Sequence, residues 1–216
     1  MEKIACETIV FDFNGTLIDD LNICLRLLNE MLIEKGHPGN IDKEKYLSVF
    51  TFPVMDYYIQ CGFRFPEDDF LALAKEFDQK YRDAFPSLPL FSDVMEVLAF
   101  FKGKKKLIVL SATKQENLEE ELKIKGISPF FDRIIGVKDI YGRSKIAEAK
   151  EYFSKQNQDL REVVFVGDTL HDNEVAKEIG GASILIARGH QSKERLLKAK
   201  NALVLGTLKE LETILI

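Results

Sequence analysis

The sequence predicts an α/β fold, a buried parallel sheet flanked by helices, with a helical unit inserted after the first strand. Three observations carry that reading. Short apolar runs alternate with helix-patterned segments through the second half of the chain, as crossover units feeding a parallel sheet do. The runs are apolar throughout rather than alternating, which suits strands covered on both faces. Between the first run and the second, from Asp12 to Lys106, no strand pattern occurs, although a crossover needs only roughly a dozen residues.

Taken in order, the first strand is Thr8 to Phe11. In the insertion that follows, Leu21, Leu25, Leu28 and Leu32 recur at helical spacing, and Gly36-His37-Pro38 ends the pattern. Phe70, Leu73, Phe77 and Tyr81 repeat it ahead of Pro86 and Pro89. Both stripes read as the packed interior of a small helical bundle, able to close over a site on the sheet. The sheet then resumes with Leu107 to Leu110, Arg133 to Val137, Val163 to Val166, Ser183 to Ala187 and Leu203 to Leu205. Thr113-Lys-Gln-Glu116 and Thr207-Leu-Lys-Glu210 read as capping boxes that start helices, and Gly126 and Gly180-Gly181 as stops.

Composition bounds the function. With 216 residues, 46% of them apolar, the chain can bury one substantial core and a second small one. Its 30 basic residues face 35 acidic ones, for a net charge of -5, without a basic stripe, so nucleic acid is not an expected partner. The short basic cluster Lys102 to Lys106 reads as a solvated loop. Three cysteines, Cys6, Cys24 and Cys61, are odd in number and lack zinc-ligand spacing, which suits a reducing compartment. The N-terminal stretch MEKIACETIVFDF does not have the pattern of a signal or transit peptide, and no run approaches the roughly 20 apolar residues of a membrane span. A cytoplasmic protein without a membrane partner is expected.

The chemistry concentrates where ligands bind in such sheets, at the carboxyl ends of the strands. The first strand runs into Asp12-Phe13-Asn14-Gly15-Thr16 and the second into Ser111-Ala112-Thr113. The loop beyond the third reaches Lys145, and the fourth opens into Gly167-Asp168-Thr169-Leu170-His171-Asp172. Each residue alone has an ordinary use: Asp12 as a turn residue, Ser111 as a helix cap, Lys145 on the surface, Asp168 and Asp172 as complements to a helix dipole. Together they place carboxylates, a hydroxyl and an ammonium on one edge. Mg²⁺ takes oxygen ligands and keeps several waters, so Asp12 and Asp168 with a carbonyl suffice. A carboxylate can attack phosphorus to give an aspartyl-phosphate, while Lys145, Ser111 and loop amides neutralise the transferring group.

Phe11-Asp12-Phe13-Asn14-Gly15-Thr16-Leu17 resembles the first motif of the haloacid-dehalogenase superfamily, and Val166-Gly167-Asp168-Thr169-Leu170-His171-Asp172 resembles its fourth. Leu107 to Ser111 is similar to the second motif and Lys145 to the third, although Ile146 stands where many relatives have Pro. The resemblance covers the chain. It implies a Rossmann-like core over 1–17 and 89–216, a helical cap over 18–88, and a Mg²⁺-dependent phosphatase of the phosphoglycolate phosphatase or β-phosphoglucomutase kind. Asp12 is then nucleophile and metal ligand, and Asp168 and Asp172 complete the metal site with the backbone carbonyl of Asn14. Ser111, the amide of Ala112 and Lys145 hold the phosphoryl group of a small phosphorylated metabolite.

The departure is Asn14, where the family's phosphatases place the Asp that protonates the leaving group. A carboxamide has no proton to exchange at ordinary pH. The readings that follow are a phosphatase that uses another acid, such as His171, substrate groups or water, or that favours an acidic leaving group; a weakened relative that binds a phosphometabolite without efficient hydrolysis; and a sequence carrying a substitution that disables it. Taken alone, His171 and His190 each read as ordinary loop residues.

Overall fold

The computed structural model describes residues 3–216; Met1 and Glu2, which open the N-terminal stretch discussed above, lie outside the described residues. Its frame is a six-stranded sheet of β1 (Thr8–Phe11), β2 (Lys106–Lys114), β3 (Arg133–Val137), β4 (Val163–Gly167), β5 (Ala182–Ile186) and β6 (Ala202–Leu205). The spatial order is 3-2-1-4-5-6 with every pairing parallel. The chain steps outward from β1 through β2 to β3, then crosses back to lay β4 on the other side of β1. That reversal opens a crevice at the carboxyl ends of the central strands.

The insertion carries α1 (Leu21–Glu34), α2 (Lys43–Val49), α3 (Val54–Cys61) and α4 (Phe70–Ala84). Around the sheet lie α5 (Val94–Phe101), α6 (Gln115–Ile124), α7 (Ile146–Phe153), α8 (Leu170–Ile179), α9 (Lys193–Leu196) and α10 (Leu211–Ile214). Successive strand residues point to opposite faces. Ile9, Phe11, Leu107, Val109, Val164 and Val166 therefore pack with α5, α6 and α10, in a core continuous with the insertion. Val10, Ile108, Leu110 and Phe165 pack with α7 and α8 on the other face. Among the described residues no helix is long and apolar enough to cross a membrane, and all three cysteines are free and buried.

The strands fall where the apolar runs place them, with one informative extension. β2 continues past Leu110 to Lys114 with a shift in register, so Thr113 lies in the strand and the expected Thr113 to Glu116 capping box does not form. The Thr113 hydroxyl donates instead to Asn14 Oδ1 at 3.0 Å, and Glu116 pairs with Lys114. The Thr207 to Glu210 box does form, and so does one spanning Thr169 and Asp172. Gly180 closes α8 in the left-handed region, at φ 92°. Within the insertion, α2 and α3 escaped the sequence pattern. They are short, and α2 buries only Tyr46 and Val49.

The chain leaves and re-enters the sheet region side by side. Ile18 bridges Leu90 antiparallel, Asp19 N donates to Pro89 O at 3.0 Å and Phe91 N to Leu17 O at 3.0 Å. Arg188, beyond β5, clamps this neck. Its guanidinium donates to Asp93 at 2.8 and 3.0 Å and to Thr16 O at 3.0 Å, and lies 4.0 Å over the Phe91 ring. Asp93 also accepts Leu208 N at 2.8 Å. Removing the carboxylate strands a largely buried guanidinium and a backbone donor. Asp93→Ala is expected to lose about 2–4 kcal/mol of stability in urea denaturation, with Asp93→Asn losing less.

Candidate active site

The carboxylates meet because backbone comes unusually close to side chain at two glycines. A Cβ on Gly15, whose φ is 69°, would strike the Asp168 carboxylate and lie 2.6 Å from the His190 ring. A Cβ on Gly167 would strike Asp172. With hydrogen there instead, Asp12, Asp168 and Asp172 bring oxygens within 4.8 Å of one another. Asp12 is anchored through its own N–H to Val166 O at 2.8 Å. Asp168, fully buried, accepts from the Thr16 hydroxyl at 3.0 Å and from His190 N at 2.6 Å. Asp172 is set by the capping box, accepting Thr169 N at 3.0 Å and Oγ1 at 2.8 Å.

Lys145 stands among them. Its buried ammonium donates to Asp12 Oδ1, to Asp172 Oδ1 at 2.6 Å and to Leu110 O at 3.1 Å, which uses all three N–H bonds. Burial disfavours the charge, but the two carboxylates hold Lys145 above its ordinary range. Burial likewise opposes ionisation of Asp172, and Lys145 overcomes it, keeping Asp172 low. For Asp12, burial and the charges of Asp172 and Asp168 win over Lys145 and push the carboxyl well up. Asp168 is pushed up to about 6 by burial, against the charge of His190, with Asp172 adding to the rise. An all-oxygen donor set whose members repel one another fits a hard divalent cation.

Asn14 is bonded on both sides of its carboxamide. Nδ2 donates to Asp20 Oδ2 at 2.9 Å and to Tyr81 Oη at 2.7 Å, and Oδ1 accepts from Thr113 at 3.0 Å and Ser111 at 3.4 Å. Tyr81 in turn donates to Asp20 Oδ2 at 2.8 Å. Asp20 is 1% exposed; it also accepts Gly15 N at 2.9 Å and meets His190 Nε2 at 3.0 Å, while His190 Nδ1 meets Tyr46 Oη at 3.0 Å. Burial would lower His190, but Asp20 and Asp168 hold the imidazolium, raising it to about 9. Asp20 is kept low by His190, Asn14 and Tyr81 in spite of its burial.

The sequence-derived residues Asp12, Asn14, Ser111, Ala112, Lys145, Asp168 and Asp172 all line one cavity of about 170 Å³. Sequence reasoning missed Asp20 and Tyr81. An Asp before an apolar helix reads as its N-cap, yet Asp20 makes no capping bond and turns inward. Tyr81 belongs to the stripe read as bundle core, and that stripe has a second use: Phe70, Phe77 and Tyr81 are cavity wall as well as packing. His190, weighed only as loop chemistry, faces the cavity. His171 does not; it meets Ser144 Oγ at 3.2 Å and Glu174 at 3.1 Å and packs on Phe52. Arg26, Arg64 and Lys75, which are basic residues of the insertion, do not line the cavity.

The sequence profile of haloacid dehalogenase-like hydrolases matches residues 9–186. The chain belongs to that family. Among its relatives are a phosphoglycolate phosphatase of Synechococcus elongatus, 24% identical with 89% of each chain covered, and the pyrophosphatase PpaX of Bacillus pumilus, 24% identical over 98% of this chain and 97% of the other. A solved haloacid dehalogenase-like hydrolase of Streptococcus pneumoniae superposes with a TM-score of 0.82 at 19% identity, covering 97% and 98% of the two chains. CbbY of Rhodobacter sphaeroides, solved in complex with phosphate, gives 0.75 at 18% identity, with 95% and 96% covered. The chain is thus a haloacid dehalogenase-like hydrolase with phosphatase relatives, and its α/β fold is the one these structures share.

The family frame makes Asn14 informative rather than merely deficient. Its amide donates to the Asp20 carboxylate, so an aspartate at 14 would set two carboxylates in contact. Asn14→Asp is expected to lose about 2–4 kcal/mol at pH 7, and Asn14→Asp with Asp20→Asn to recover most of it. Equal losses in the two variants by urea denaturation would show that the positions are uncoupled.

Glu121 on α6 lines the same cavity and is 3% exposed. Burial first, then Asp20 and Asp78, push its carboxyl from 4.5 up to about 8. The folded protein therefore holds a proton that the unfolded chain releases. Its favourable contribution is complete below about pH 4.5 and is lost as the pH rises through about 8. Glu121→Gln is expected to gain of the order of 2–4 kcal/mol over the native protein at pH 8 and nothing at pH 4, in denaturation curves recorded across that range.

Proposed function

We propose that the chain is a Mg²⁺-dependent phosphatase of small phosphate monoesters that works through an aspartyl-phosphate on Asp12. The observation that carries this reading is the shared buried wall of Asp12, Lys145, Asp168 and Asp172, with Ser111 and Ala112 on the same cavity. An Asp12 oxygen attacks phosphorus as the ester oxygen departs with the bonding pair, and water then attacks phosphorus to release phosphate and restore the carboxylate. Lys145, already bonded to Asp12, neutralises the phosphoryl oxygens during both displacements, and the Ser111 hydroxyl and Ala112 amide orient them. Asp12, Asp168, Asp172 and the Asn14 carbonyl would hold the ion. Bound magnesium supplies positive charge to the transferring group and to the mutually repelling carboxylates.

The helices over 18–88 act as the cap. Tyr46, Phe50, Phe52 and Tyr57 bring aromatic rings over the crevice, which excludes water and strengthens each electrostatic contact inside. The substrate is a small phosphorylated metabolite met in the cytoplasm.

Asn14 shapes the rate. A positioned acid is worth roughly 10² to 10⁴, so without one the departure of an alkoxide is slow and acidic leaving groups are favoured. The same observation supports a second reading, in which the site binds a phosphometabolite and scarcely turns it over. Phosphate release from p-nitrophenyl phosphate and an alkyl phosphate, with and without Mg²⁺, separates the two. The phosphatase reading expects Mg²⁺-dependent release, faster by about 10²-fold or more for the aryl ester, and a fall of at least about 10³-fold in Asp12→Asn. Tight binding with no release from either ester leaves only the second reading standing.

A further inference from the structure

The chemistry of the cavity wall outside the transfer site constrains what the phosphate is attached to. Among the described residues three cationic groups line the cavity, Lys114, Lys145 and His190. Lys145 belongs to the transfer site, where it is bonded to Asp12, Asp172 and Leu110 O, His190 spends both ring nitrogens on Asp20 and Tyr46, and Lys114, at the exposed rim, pairs with Glu116 at 2.6 Å. A second anionic group on the substrate therefore meets no buried, unpaired cation on this wall. Phosphoglycolate and pyrophosphate, which name the relatives, both carry such a group.

Acidic side chains, by contrast, are in surplus. Asp12, Asp168 and Asp172 belong to the transfer site, and Asp20 is answered by His190, Asn14 and Tyr81. That leaves Asp78 on α4 and Glu121 on α6. Asp78 accepts Asn117 Nδ2 at 2.8 Å and lies 3.6 Å from Arg82 Nε on the outer side. Glu121 is nine-tenths buried and more, and its Oε2 has no hydrogen-bond partner among the described residues. An unanswered carboxyl oxygen in such a place is costly unless a ligand supplies the donor. The same cavity wall carries the aromatic rings of Tyr58, Phe70 and Phe77, and ring faces attract organic cations while accepting methylene groups.

We infer that the substrate is the phosphate monoester of a small amino alcohol, its ammonium group bound by Glu121 with Asp78 against the aromatic wall. This rests on the phosphatase reading for its chemistry, but the ligand preference is a separate property of the cavity. The phosphoryl end is read by Lys145, Ser111 and the carboxylate-bound ion, the other end by a carboxylate pair. An ammonium between those carboxylates also favours the ionised form of Glu121, which burial otherwise opposes.

The test uses three esters of similar size and different end charge: 2-aminoethyl phosphate, propyl phosphate and phosphoglycolate, with the amino and alkyl esters repeated two methylenes longer. Turnover is measured with Mg²⁺, and binding is measured by calorimetry on Asp12→Asn protein with Mg²⁺, so that preference is read apart from chemistry. The expected result is at least about tenfold preference for an amino ester over its alkyl isostere, and a larger one over phosphoglycolate. Glu121→Gln should cut the amino-to-alkyl ratio by about tenfold. Preference in binding without phosphate release strikes the phosphatase reading alone. Equal affinity for amino and alkyl esters, a preference for phosphoglycolate, or a ratio unmoved by Glu121→Gln overturns this inference.

Discussion

Three carboxylates share the crevice of the sheet with a single ammonium, and the charge does not balance. Asp12, Asp168 and Asp172 sit within 4.8 Å of one another, and Lys145 answers two of them. In a buried place, such an arrangement survives only because the backbone leaves the side chains nowhere else to go. Parallel strands bring their carboxyl ends to one edge, Gly15 and Gly167 remove the Cβ atoms that would keep the carboxylates apart, and the capping box pins Asp172 at the start of α8. Under the proposed function, that residual negative charge is what would draw a cation and, through the cation, a phosphate. Stability yields there to function, as strained and under-compensated groups commonly do at active sites.

A second buried network decides how the inserted helices sit. Asn14 and His190 come from the sheet side, while Asp20, Tyr46 and Tyr81 come from the insertion. Asp20 gathers Gly15 N, the Asn14 amide, the Tyr81 hydroxyl and the His190 ring, so the carboxylate is stabilised by donors from both sides of the interface. Position 14 donates to it through Nδ2, so the carboxamide there is a partner of the carboxylate at 20. The neck at Ile18 and Leu90, clamped by Arg188 and Asp93, keeps the two sides in register.

The aromatic face of the insertion serves two purposes with one helical stripe. Leu73 buries itself in the interior, while the partly buried Phe70 and Phe77 and the buried Tyr81 line the cavity. Packing and substrate selection thus draw on the same spacing. A cavity with apolar rings and surplus carboxylates discriminates by charge: it disfavours a second anion through desolvation without compensation, and favours a cation that the rings and carboxylates both attract.

Much of this was legible in the sequence because it follows from local rules. The apolar runs marked every strand within a residue or two except the far end of β2, which continues four residues to Lys114, since a strand buried on both faces is built mostly of apolar side chains. The residues after those runs marked the crevice, since parallel topology sends every strand end to one edge. Asp12, Ser111, Lys145, Asp168 and Asp172 could be named for that reason, and Asn14 could be seen to depart from the expected acid. What α2 and α3 do, why Asp20 turns inward, and why His190 rather than His171 faces the cavity depended on the tertiary structure. Contacts between segments far apart in the chain settle these points: Asp20 with His190, Asn14 with Tyr81, Asn117 with Asp78 of α4. A single side chain's pattern in the sequence records its helix or strand. Which partner lies across the interface, and whether a buried charge finds a donor there, is decided by packing and by the free energy of the charges brought together.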